Sequence, residues 1–249
     1  MSHRVAMDSA DHVATITLDR PEKRNAIDRQ MRMELFGAFQ SVADDPDIWV
    51  AIIRGAGGNF SAGHDLTEPL AGAPTVGDLY TLQHQLEKPL IAALSGACLA
   101  QGSGIALSCD IRLADGTAYF AWPQVMRGIG SISGPTMLAR ALPVNVAMRH
   151  LLTGDPIPVA EAASLHLVER VGADETVEQA ARELALRIVA NAPLAVQAMK
   201  RAVLATQGLS SLEAFRIASS ILEQVEQTED AKEGMRAFAE KRPPVWRGR

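Results

Sequence analysis

The chain is poor in aromatics (4% of 249 residues), has two cysteines, and carries no long block of one charge. Each scarcity excludes something. With 24 basic against 29 acidic side chains, a net charge of −5, it lacks the clustered Lys and Arg that a nucleic-acid surface needs to displace counterions. Cys98 and Cys109 lie in one apolar stretch and match neither a zinc spacing nor a disulfide framework, so buried, reduced thiols in a cytoplasmic setting are expected. Asp8 falls where a secretory signal would carry its apolar centre. The longest uncharged run, residues 90–109, is long enough to span a bilayer, but Ser95, Gly96, Gln101, Gly102, Ser103, Gly104 and Ser108 interrupt it. It reads as a buried strand leading into a buried helix, and no membrane partner is expected.

Several catalytic signatures are also missing. There is no phosphate-cradling Gly-x-x-x-x-Gly-Lys loop, no His-Glu-x-x-His and no Cys-x-x-Cys. Gly128-Ile129-Gly130 does not continue into a dinucleotide fingerprint, because Ser133 stands where the third glycine would be. Ser131 and Ser133 miss the register of a hydrolase nucleophile elbow. Neither a metal nor a separate cofactor is therefore expected.

What is present is an apolar fraction of 47%, ample for one large core. Residues 13–18 alternate as a half-buried strand, and Arg20-Pro21 ends it. Asp28 then caps a helix whose stripe is Met31, Leu35, Ala38, Phe39 and Val42. Residues 48–53 form a continuous apolar run, as in a strand covered on both faces. The pattern repeats with a helix at 76–87, a strand at 90–94, a short helix at 102–108 and a strand at 111–114. Strand, crossover, strand predicts a parallel α/β architecture. From about residue 174 the pattern is helical only, with helices expected at 177–190, 194–206, 211–226 and 229–241. The division expected is a core over 1–190 and a helical region over 191–249.

Two small-residue turns follow apolar strands: residues 59–66, containing Ser61-Ala62-Gly63-His64-Asp65, and residues 99–104, Leu99-Ala100-Gln101-Gly102-Ser103-Gly104. Such turns bring free main-chain N–H groups to the end of a parallel sheet, where two converging amides make an oxyanion hole. The same composition also suits tight turns that only let helices pack against strands.

Along essentially its whole length the chain resembles the crotonase superfamily, the enoyl-CoA hydratase/isomerase family. The matching stretches are residues 16–26, Phe60-Ser61-Ala62-Gly63-His64-Asp65-Leu66, Lys88-Pro89-Leu90-Ile91-Ala92-Ala93, residues 109–114, Leu152-Thr153-Gly154 and residues 229–242. The resemblance implies an α/β spiral of ββα units, a C-terminal helical region for assembly into a homotrimer or a hexamer of two trimers, and acyl-CoA thioester substrates, with coenzyme A as part of the substrate. It places the oxyanion donors on the N–H groups of His64 and Gly102. Lys23, Arg24, Ala26 and Ala62 fall at coenzyme A contacts. Phe238 and Lys241 fall where a neighbouring subunit touches the nucleotide.

The acid/base pair departs from that pattern. The two hydratase glutamates fall on Gly104 and Gln124, neither of which titrates near neutrality, so ordinary two-glutamate hydration is expected to be impaired. The space left at Gly104 could take bicarbonate or a bulkier acyl group. Glu68 is the expected substitute base, while Asp65 caps the next turn. His64 contributes its main-chain N–H, its imidazole, or both. Trp122 is expected to line the acyl pocket or to pack in the core beside Pro123. Arg127 would pair with a carboxylated acyl tail or lie in solvent. A decarboxylase resembling methylmalonyl-CoA decarboxylase is an alternative, though the tyrosine of that pattern falls at Ser131. A catalytically silent coenzyme A-binding or assembly protein is another.

Overall fold

The computed structural model describes residues 3–68 and 71–249. Its strands are built by parity. On β2 (Val13–Leu18), β3 (Val50–Gly55) and β4 (Leu90–Leu94), successive side chains face opposite ways; one face is apolar throughout, and the other is apolar on β4 but carries Thr15, Thr17 and Arg54 on β2 and β3. Ala14, Ile16, Leu18, Ala51, Ile53, Leu90, Ala92 and Leu94 join a large cluster with Met31, Leu35, Phe39 and Val42 of α1 (Arg29–Asp44). Val13, Val50, Ile52, Ile91 and Ala93 face the other way, onto Val177, Ala181 and Ala185 of the helix 177–189. Each such Leu or Ile contributes roughly 1.5–3 kcal/mol when fully buried.

These strands form a six-stranded sheet in the order β1-β2-β3-β4-β6-β9, with β1 (Val5–Ala10), β6 (Ile111–Ala114) and β9 (Glu169–Arg170). Only β1 is antiparallel to its neighbour. A second sheet, in the order β5-β7-β8, comprises β5 (Ala97–Leu99), β7 (Tyr119–Ala121) and β8 (Ile157–Pro158). The chain thus passes from one sheet to the other after β4 and again after β6. Between strands lie α2 (Val76–Gln85), α3 (Gln101–Leu107), α4 (Ala139–Ala141), α5 (Val144–Thr153) and α6 (Val159–Ser164). After β9 come α7 (Val177–Val189), α8 (Pro193–Thr206), α9 (Ser211–Glu223) and α10 (Glu229–Glu240).

The expected strands at 90–94 and 111–114 and the Asp28 cap are present; the Met31 N–H donates to Asp28 Oδ1 at 2.8 Å. Five strands have no counterpart in the sequence reading. β1 buries only Val5, so it shows no apolar alternation, and β5, β7, β8 and β9 are two or three residues long, too short for a period to register. α5 and α6 are likewise additions. Both cysteines are free and buried, and burial pushes the Cys109 thiol up to about 12.

Candidate active site

The two small-residue turns are docked to one another by their backbones. Ser61 N–H donates to the Ala97 carbonyl at 2.8 Å, and Leu99 N–H donates to the Ser61 carbonyl at 2.9 Å. Two glycines permit the approach. A Cβ on Gly102 would stand 2.8 Å from Ser61 Cβ, and one on Gly63, at φ +84°, would stand 2.7 Å from the Leu99 carbonyl oxygen. Ala100, at φ 53°, turns the chain sharply from β5 into α3. Its strained backbone is held by a bond from its N–H to the Ala121 carbonyl and by Gly104 N–H and Ser133 Oγ, both donating to its own carbonyl.

The consequence is a pair of free donors. On the His64 turn, Ile27 N–H takes the Gly63 carbonyl and Asp65 N–H takes the Ile27 carbonyl, which leaves the His64 N–H between them. Gly102 N–H lies in the first turn of α3, where a helix has no internal acceptor to offer. Among the described residues neither amide has a hydrogen-bond acceptor.

Around these amides the side chains differ from a carboxylate-based site. Tyr80 of α2 is buried, its hydroxyl donating to the Gln101 carbonyl at 3.2 Å. A Cβ placed on Gly104 would overlap the Tyr80 hydroxyl and lie 2.8 Å from Ser133 Cβ. The expected space at Gly104 for bicarbonate or a larger acyl group is therefore filled by the phenol. Burial pushes the Tyr80 hydroxyl far above its ordinary pKa, so it remains a neutral donor.

Arg32 of α1 reaches the same place. It is buried, with Nη2 donating to Gln101 Oε1 at 2.7 Å and Nη1 to the Pro74 carbonyl at 3.4 Å, while Nε has no partner. Among the described residues no carboxylate pairs with it. The sequence signal was the spacing 32, 35, 39, which puts Arg32 on the face of α1 that carries Leu35 and Phe39. Tyr80, with Leu79 and Gln83 on the buried side of α2, was legible in the same way.

His64 lies between this arginine and the loop that follows. Burial, then the charge of Arg32, lowers its pKa, against a bond from the ring to the Glu68 main chain. The imidazole is therefore neutral at pH 7, and Nε2 is buried without a partner. Asp65 binds Arg20 Nη1 at 2.6 Å and accepts from both the hydroxyl and the N–H of Thr67. Those Thr67 bonds and Arg20 hold its carboxyl well below the usual range, so it fixes the loop, as expected of a turn cap. Glu68 is about half exposed, its carboxylate 3.6 Å from Arg20.

Trp122 is buried and donates from Nε1 to Ser133 Oγ at 3.0 Å; Ser131 Oγ is 3.3 Å from the same hydroxyl. Gln124 is the second residue of a short 3-10 turn, Pro123–Arg127, with Oε1 buried and unpartnered. Arg127 is exposed and donates to the Pro123 carbonyl of its own turn. That exposed placement matches the second of its two expected positions. Lys23 and Arg24 are exposed on a turn bonded to the His64 loop, where Ala62 N–H donates to the Arg24 carbonyl at 2.8 Å, and Ala26 is half-buried beside them. Phe238 and Lys241 are exposed at the end of α10.

A sequence profile described as Enoyl-CoA hydratase/isomerase matches residues 8–249. The chain belongs to the enoyl-CoA hydratase/isomerase family. Within this crotonase family it is similar to the (E)-benzylidenesuccinyl-CoA hydratase of Thauera aromatica, 36% identical over 98% of this chain and 99% of the relative. It is also similar to the carnitinyl-CoA dehydratase of Salmonella typhi, 37% identical with both chains fully covered. Among solved structures it superposes on an enoyl-CoA hydratase from Mycobacterium tuberculosis H37Rv with a TM-score of 0.93 and 37% identity, covering all of both chains. The crotonase fold expected from the sequence is thereby established, and the chain is a hydratase/dehydratase-like acyl-CoA enzyme.

Proposed function

We propose that this enzyme binds an acyl-CoA thioester with its carbonyl oxygen between the N–H groups of His64 and Gly102 and stabilises the enolate formed there. The observation that carries this reading is the pair of unpartnered amides on turns locked together by Gly63 and Gly102. Each such donor lowers the barrier by roughly 3–4 kcal/mol when aimed at developing charge. Lys23, Arg24, Ala26 and Ala62 would hold the coenzyme A portion, with Phe238 and Lys241 contributed across a subunit contact. The helical region 191–249 would form that contact in a homotrimer, or in a hexamer of two trimers.

Proton transfer proceeds without the glutamate pair. Gly104 offers no side chain and Gln124 only orients, so the groups able to take a proton from the α-carbon or return one are Glu68, the substitute base expected from the sequence, and the neutral His64 imidazole with its free Nε2. Trp122 and Ser131 border the acyl end through their shared partner Ser133.

The test is a three-way assay on purified protein. Exchange of the α-proton of an acyl-CoA with solvent deuterium reads enolate formation, which is expected. Water addition to a 2-enoyl-CoA is expected to be far slower than in a two-glutamate hydratase, and carbon dioxide release from a β-carboxylated acyl-CoA reads the decarboxylase alternative. Binding of every thioester without exchange or turnover would overturn the enolate reading in favour of a silent coenzyme A-binding protein.

A further inference from the structure

We propose that Arg32 is a substrate-anchoring residue and that the preferred acyl group carries a carboxylate a few bonds from the thioester. This deepens the enolate reading and rests on it. The case starts from an imbalance. A guanidinium so enclosed loses most of its hydration, and a fold usually compensates with a carboxylate. Here Arg32 is 6% exposed, and its described partners are a neutral amide and one main-chain carbonyl. Nothing within α1 requires a cation at that position, since its neighbours on the buried face are Leu35 and Phe39.

Its location ties the imbalance to the site. Gln101, which Arg32 binds through Oε1, immediately precedes Gly102, and its own Nε2 is buried without a partner. The Arg32 charge also acts on His64, which carries the other amide. The cation is thus bonded to the residue that precedes one donor of the oxyanion hole and is felt by the residue that carries the other. Three polar atoms of these residues are buried without partners: Arg32 Nε, Gln101 Nε2 and His64 Nε2. Two are fixed donors. A carboxylate, with its negative charge and two acceptor oxygens, is the ligand group that matches a guanidinium N–H and an amide N–H. Arg127, the arginine the sequence offered for this purpose, is turned to solvent.

The experiment measures binding by calorimetry of matched ligands: free coenzyme A, a saturated short-chain acyl-CoA bearing a free carboxylate, and the same acyl-CoA with that carboxylate replaced by a primary amide. Wild-type protein is expected to bind the carboxylate form at least tenfold more tightly than the amide. Arg32→Gln should erase that preference while leaving the amide form and coenzyme A unchanged, and Arg32→Lys should keep part of it. Equal affinity of the wild type for the two forms overturns the proposal, and needs no variant. An equal loss for all three ligands in Arg32→Gln also overturns it, because Arg32 would then be holding the loop or a coenzyme A phosphate. If neither acyl form binds more tightly than coenzyme A itself, the enolate reading fails first, a result distinct from the other two. A melting curve adds an independent readout. Removing an uncompensated buried charge should leave Arg32→Met as stable as the wild type or more so, whereas a structural arginine would cost stability when lost.

Discussion

The Tyr80 hydroxyl occupies the position that a side chain on Gly104 would need. The glycine and the tyrosine are therefore one feature: the phenol can enter because the residue at 104 has no Cβ, and the residue at 104 can have none because the phenol is there. Restoring the hydratase carboxylates by Gly104→Glu and Gln124→Glu alone should fail. The double variant is expected to be destabilised by about 1–3 kcal/mol through overpacking and to gain no hydration. Adding Tyr80→Ala together with Ser133→Gly should relieve the overlaps with the phenol and with Ser133 Cβ and allow hydratase activity to emerge, read by thermal melting and by loss of enoyl-CoA absorbance.

Gly102 makes the oxyanion hole possible by letting α3 touch the His64 turn. In Gly102→Ala the new methyl meets Ser61 Cβ and its carbonyl oxygen, at 2.8 and 2.9 Å, and must push the two turns apart. Turnover should fall about 100- to 1000-fold, as for the loss of one oxyanion donor, while the KM for acyl-CoA changes little. Steady-state kinetics separate the two parameters.

The imidazole of His64 can be separated from its amide. His64→Ala retains the main-chain N–H, so the hole persists, and α-proton exchange should fall by roughly 100-fold if Nε2 carries the proton. In the wild type the ring should titrate below the ordinary histidine value, because burial and Arg32 disfavour the cation. Nuclear magnetic resonance of the ring protons in wild type and Arg32→Met should show that value rising when the neighbouring charge is removed.

The Arg20–Asp65 pair carries the loop that presents His64. Asp65→Asn removes the nearest carboxylate from the buried Arg20, with Asp28 and Glu68 still at 3.6 Å, and should cost about 1–3 kcal/mol at pH 7. The pH dependence follows from the sign of the shift. The folded carboxyl titrates below the unfolded one, so its stabilisation is complete above the unfolded value of about 3.9 and is lost as pH falls further. The gap between wild type and Asp65→Asn in urea unfolding should therefore narrow below about pH 4.

Leu212, Phe215, Met235 and Phe238 are between 70% and 86% exposed on α9 and α10. Large apolar side chains grouped so openly mark a contact surface. The subunit contact proposed for this region predicts the mass of a trimer or hexamer by light scattering, and Leu212→Glu with Phe215→Glu should shift it toward that of one chain.

Much of this was written in the chain. The parity of β2, β3 and β4 and the stripe on α1 are strong periodic signals, and the glycines at 63 and 102 marked both turns. Short strands such as β5 and β7 were not legible, because three residues carry no period, yet β5 is the element that docks the two turns. Arg32 and Tyr80 were overlooked for a different reason. Each lies on a buried helix face, as its spacing states, but their meeting beside Gly104 and Gln101 depends on how α1 and α2 pack against α3, which no local pattern encodes. Arg127 shows the converse: a charged residue near the site in sequence whose turn aims it at solvent.

The most direct test is the carbonyl stretch of a thioester, labelled with carbon-13 at that carbonyl and bound to the protein, recorded by isotope-edited infrared spectroscopy. Two convergent N–H donors polarise the bond, so the band should move to lower frequency than in water, and Gly102→Ala should return it most of the way. A bound thioester whose band stays at its aqueous position in the wild-type protein would contradict the account.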